Sequence, residues 1–190
     1  MSKNIKSVSV LISSAKLLRE YHDASQNYLS TINESEQCWM FPSREPQEVI
    51  CHNDFAPYNI CFKEQEAIGI IDFETAVPAP RIWDIAYALY RFAPFTNPNN
   101  KDGFGNIEEQ ISRAYIFCDA YGLLKKDRIN LTNLIIERLE TLLNFLIKSA
   151  KDGDIKYQNN MQDKHHLKYL EDIEYIKKHK DFIENGLTRN

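Results

Sequence analysis

With 190 residues, 43% of them apolar and only six glycines, the chain is long enough for one well-buried core and shows no repeat or low-complexity segment. Its net charge of −4 argues against nucleic acid, for which a basic stripe is expected, and no apolar run approaches the roughly eighteen residues of a membrane span. The N-terminus lacks a charged-then-apolar signal segment, so the expected compartment is the cytoplasm, and Cys38, Cys51, Cys61 and Cys118, without disulfide or zinc spacing, read as reduced thiols.

Residues 7–29 read as a helix, because Leu11, Ala15, Leu18 and His22 recur on one face with Leu17 and Tyr21 beside them. After Val49 comes His52-Asn53-Asp54-Phe55-Ala56-Pro57-Tyr58-Asn59, in which Pro57 fixes one backbone angle. Ile60-Cys61-Phe62 and the run from Ala67 to Ile71 flank the polar Lys63-Glu64-Gln65-Glu66, the pattern of a hairpin whose second strand is buried and ends at Asp72-Phe73-Glu74. An apolar stripe of Ile82, Ile85, Ala88, Leu89 and Phe92 runs between Pro80 and Pro94 and predicts a second helix. A loop from Pro94 to Asn106 leads to a helix over 107–121 closed by Gly122, then one from Ile129 to about Ala150. Asp152-Gly153 separates this from a last polar helix carrying Leu167, Leu170, Ile173 and Ile176. His22, His165, His166 and His179 lie on predicted helices without metal spacing and read as surface or packing residues, and Trp83 reads as core.

The segment from His52 to Glu74 carries the chemistry. An aspartate two positions after a histidine, an asparagine five after that aspartate, and a second aspartate at a strand end are the offsets of kinase-type catalytic loops. Asp54 is the candidate to accept a proton from a substrate hydroxyl. Asn59 and Asp72 offer the oxygen ligands that Mg²⁺ prefers, and the hairpin between them brings both to one place. Glu74 is either a further metal-supporting carboxylate or a solvated charge. Asp84, near a predicted helix start, suits capping and the helix dipole. A metallohydrolase centre on His52, Asp54 and Asp72 would need more ligands nearby than Asn53, Phe55 and Tyr58 supply.

On these residues the chain resembles the aminoglycoside phosphotransferase and choline kinase family, small-molecule relatives of the protein kinases. The strongest stretch runs from Val49 to Phe95, and the likeness extends from Leu17-Leu18-Arg19-Glu20-Tyr21-His22-Asp23 through Pro80-Arg81-Ile82-Trp83-Asp84 into the helical tail. It implies a mainly α fold with a small β-hairpin, the C-terminal helical lobe of the protein-kinase-like fold. It also implies Asp54 as base, Asn59 and Asp72 as metal ligands, His52 holding the loop and Asp84 buttressing it. Mg²⁺, with ATP or GTP as phosphate donor, and a small-molecule hydroxyl substrate follow from the same likeness. The mild negative charge permits a cationic substrate, with Asp102, Glu108, Glu109, Asp119 and Glu137 as contacts in the helical region.

Only 48 residues precede Val49 and none is glycine, so no Gly-rich phosphate loop and no N-terminal β lobe is expected upstream of His52. The chain then divides as 1–48, an N-terminal helix and linker; 49–75, catalytic loop and metal-binding hairpin; and 76–190, a helical subdomain. Two readings stay open: a phosphotransferase completed by a partner chain or homodimer contact over the absent lobe's face, and an inactive lobe that serves as a binding or interaction module.

Overall fold

The computed structural model describes residues 5–32, 38–98, 100–101 and 103–189. It is mostly helical, with two small antiparallel ladders. Helix α1 (Val8–Leu29) buries Val10, Leu11, Ser14, Ala15, Leu18, His22 and Ser25, one stripe at spacings of three and four. Strands β2 (Ile60–Lys63) and β3 (Glu66–Ile70) form the expected hairpin, with Ile60 opposite Ile70 and Lys63 opposite Glu66. The hairpin is fastened to α1, where Ser13 Oγ accepts from the Ala67 backbone N–H. Contrary to expectation, β3 is not a buried strand. Only Ala67 is inside, while Ile68 and Ile71 are about half exposed and Cys61 on β2 is exposed too.

A second ladder appears where one hairpin is expected. Strand β1 (Val49–Cys51) pairs with β4 (Val77–Ala79), Val49 opposite Ala79 and Cys51 opposite Val77. Both strands are three buried residues long, and β4 contains Pro78, which lacks the N–H of a ladder donor and weakens any strand reading. This ladder brings the two ends of residues 52–76 together, so the whole motif is an excursion from one clamped base.

Helix α2 (Arg81–Phe92) is buried nearly all round, the mark of a central helix. Helix α3 (Ile107–Tyr121) opens with a capping box, Asn106 Oδ1 accepting from Glu109 N while Glu109 accepts from Asn106 N, and it closes on left-handed Gly122. Arg113 on α3 gives Nε to the Phe92 carbonyl at the end of α2, and its other nitrogens to the carbonyls of Ile5 and Lys6. Burial pushes its guanidinium down to about 10. Helix α4 (Leu131–Lys151) starts two residues later than predicted, because Asn130 is left-handed and Ile129 points to solvent.

The tail is three helices rather than one: α5 (Ile155–Gln162), α6 (His165–Lys178) and α7 (Lys180–Thr188). Left-handed Lys164 breaks the first from the second. Ile173 and Ile176 are core as expected, whereas Leu167 and Leu170 are exposed, and α7 contributes Ile183 and Leu187 instead. Gly186 lets α7 seat on α3: a Cβ there would lie 2.2 Å from Ile111 Cγ2. Gly186→Ala is expected to cost about 1–3 kcal/mol, as overpacked cores do, read as a lower denaturation midpoint at unchanged slope. Among the described residues no helix is long and apolar enough to cross a membrane.

Candidate active site

The loop between β1 and β2 is held by Asp84, which is fully buried in the first turn of α2. Its Oδ2 accepts the His52 backbone N–H at 2.7 Å and its Oδ1 accepts that of Asn53 at 3.0 Å. Both of its carboxylate oxygens are thus engaged by backbone N–H groups of the loop. His22, on α1, lies 3.0 Å from Oδ2 through Nε2 and 2.7 Å from the Tyr121 hydroxyl through Nδ1. The sequence reading of His22 as a surface or packing residue is thus corrected to a buried hydrogen-bonding one. Burial pushes the Asp84 carboxyl up, but the hydrogen bond and charge of His22, with His52 beside it, outweigh this and leave it below the usual carboxylate range.

His52 is buried as well, and both ring nitrogens are engaged. Nε2 lies 2.9 Å from the Ile71 carbonyl, which can only accept, so Nε2 carries the proton and Nδ1 accepts the Asp54 backbone N–H at 3.2 Å. One imidazole therefore ties the backbone of Asp54 to the residue before Asp72. It has no free nitrogen for proton transfer. Thr75 adds a bond to the His52 carbonyl, and Trp83, buried as expected, gives Nε1 to Asn53 Oδ1. Asn53 adopts φ 63°, a left-handed conformation that asparagine tolerates better than most residues.

Asp54 is half-buried and faces a cavity of about 430 Å³. Asn59 Nδ2 donates to its Oδ2 at 2.9 Å and also to its backbone carbonyl, while the Tyr58 hydroxyl donates to Oδ1 at 2.7 Å. Burial and then the Asp54 carboxylate push the Tyr58 phenol up, so it remains a donor. The Ile71 N–H donates to the Asn59 carbonyl, which sets Asp72 beside Asn59 as the hairpin reading requires. Asp72 is left-handed at φ 65° and exposed, and both it and Glu74 face the same cavity.

Oxygen donors suit a hard divalent cation, and the residues here offer them: the amide of Asn59 spends its nitrogen on Asp54 and leaves its oxygen unassigned, and Asp72 and Glu74 line the cavity as exposed carboxylates. A buried trio of His22, Cys51 and Asp84 also has ligand atoms within 4.8 Å of one another, but His22 and Asp84 already bond each other and the loop. Of the expected cation contacts, Glu108 and Glu109 start α3, Asp119 pairs with Arg128 and Glu137 with Arg44, and none lines the Asp54 cavity. Asp102 lies outside the described residues.

The loop from His52 to Asn59 is thus clamped by Asp84, His22 and the Ile71 carbonyl, with the Asp54 carboxylate turned toward the cavity. The chain belongs to the phosphotransferase enzyme family, whose family model matches residues 11–121, more than half its length. That stretch contains every residue of the network just described, from His22 to Tyr121. A trifolitoxin immunity protein from Rhizobium leguminosarum bv. trifolii is 29% identical over 115 residues, 59% of this chain. The chain covers 44% of that relative's length. No solved structure matches the chain.

Proposed function

We propose that this chain carries the catalytic half of a small-molecule O-phosphotransferase of the aminoglycoside phosphotransferase type, the helical lobe of a kinase-like fold. The observation that carries this reading is Asp54: its carboxylate faces the cavity with each oxygen held, next to Asn59 and Asp72. The substrate hydroxyl loses its proton to Asp54 as its oxygen bonds to the terminal phosphorus of ATP or GTP. The bond from that phosphorus to the bridging oxygen breaks, and the nucleoside diphosphate leaves. Mg²⁺ held by Asn59 and Asp72, with Glu74 in support, would neutralise phosphate charge when bound. His52 and Asp84 act through the backbone by fixing where Asp54 stands. Kinship with an immunity protein supports a protective use, in which phosphorylation disarms a toxic compound.

The reading is tested by Mg²⁺-dependent phosphate transfer from labelled ATP or GTP to a panel of hydroxyl compounds. Transfer that Asp54→Asn removes supports it, and transfer indifferent to that change overturns it. Tyr58 supplies a further check. Its hydroxyl occupies Asp54 Oδ1, where the acceptor hydroxyl must arrive. Tyr58→Phe is expected to lower KM for the acceptor by about 5- to 10-fold, the worth of one hydrogen bond of roughly 1 kcal/mol, with kcat changed less. Steady-state kinetics separates the two constants.

A further inference from the structure

The cavity that Asp54 faces is lined differently from the acidic subsite that a cationic acceptor would need. Its carboxylates are Asp54, Asp72 and Glu74, all assigned above to proton and cation work, and its other charged groups are Arg44, Arg138 and Lys156. Arg44 is neutralised by Glu137 and lies 3.7 Å over the Trp83 ring. Arg138 makes no salt bridge among the described residues, the carboxylates acting on its charge being those of Asp84 and Asp54.

Arg138 is the unusual group. It is 6% exposed, lies against the rings of Tyr87 at 4.6 Å and Trp83 at 5.4 Å, and gives Nη2 to the Asn53 carbonyl at 2.6 Å. Its Nε is buried without a hydrogen-bond partner. A guanidinium stays charged at any physiological pH, and a buried charge without a counter-ion is costly unless something else completes it. Lys156, exposed, lines the same cavity. The lining is also aromatic: Phe41 meets Phe145 at 4.6 Å between ring centres, and Phe145 meets Tyr157 edge-on at 5.3 Å.

We propose that the acceptor is a hydroxyl compound with a ring or apolar body and a carboxylate, the body lying between the aromatic walls and the carboxylate answering Arg138 and Lys156. This rests on the phosphotransferase reading for the identity of the cavity as the acceptor site. A volume of about 430 Å³ suits a small molecule of this kind.

The test uses three compounds that share one ring and one hydroxyl: 3-phenyllactate, 3-phenyllactamide and 1-amino-3-phenylpropan-2-ol. Calorimetry with the full chain, without nucleotide, is expected to show the carboxylate binding at least 10-fold more tightly than the amide or the amine. Lys156→Gln should narrow that gap by about 3- to 10-fold while leaving the unfolding midpoint in place, and Arg138→Gln should close it. Equal or tighter binding of the amine or amide, or no binding of the carboxylate to protein that still takes up Mg²⁺ and ATP, overturns the proposal. Because binding is read without turnover and nucleotide uptake separately, a failure here is distinguishable from failure of the phosphotransferase reading.

Discussion

Asp54→Asn is expected to lower phosphate transfer by about 10²- to 10⁴-fold, the usual worth of a positioned general base. The substitution keeps the size of the side chain and an oxygen for either the Tyr58 hydroxyl or Asn59 Nδ2, so the loop should keep its shape. It removes the ability to take a proton from the acceptor. Loss should therefore fall on kcat, with nucleotide affinity and the unfolding midpoint little changed. A loss confined to KM would instead mean that Asp54 only binds the acceptor.

Asp84→Ala is expected to produce the largest loss of stability in the chain, about 3–5 kcal/mol, with activity lost alongside it. Three buried donors converge on this carboxylate: the N–H groups of His52 and Asn53, and His22 Nε2. Each left unpaired in this fully buried place costs about 1–3 kcal/mol. The folded carboxyl lies below its ordinary range, so its stabilising contribution is present above the unfolded value of about 4 and is lost as the pH falls through the lower folded value. Wild type and Asp84→Ala should converge in stability under acid and differ most at neutral pH. Urea unfolding across that range decides it, and a constant difference would contradict the role given to Asp84.

The parts legible in the sequence are those whose signals are local. Asp54, Asn59 and Asp72 lie within one loop and one hairpin, and the alternation of apolar and polar runs is enough to bring them together. The β1–β4 ladder was not legible, because three-residue strands carry little pattern and Pro78 argues against one of them. His22 and Asp84 are 62 positions apart on different helices, and spacing cannot pair them. A clue was still present: His22 falls on the apolar face of α1, and a polar residue at a core position implies a buried partner. Arg138 gives the same clue on α4, between Ile135 and Leu139. The tail is divided at two places, left-handed Lys164 and then His179, neither of a type that often marks such a break.

We propose that Asn59 and Asp72 form a working cation and nucleotide half-site in this chain. Calorimetric titration of the chain with ATP, with and without Mg²⁺, and of Asp72→Asn under the same conditions, tests it most directly. Binding is expected to require Mg²⁺ and to weaken at least 10-fold, about 1.4 kcal/mol, in Asp72→Asn. ATP binding indifferent to both Mg²⁺ and Asp72, or no binding at millimolar nucleotide, would contradict it.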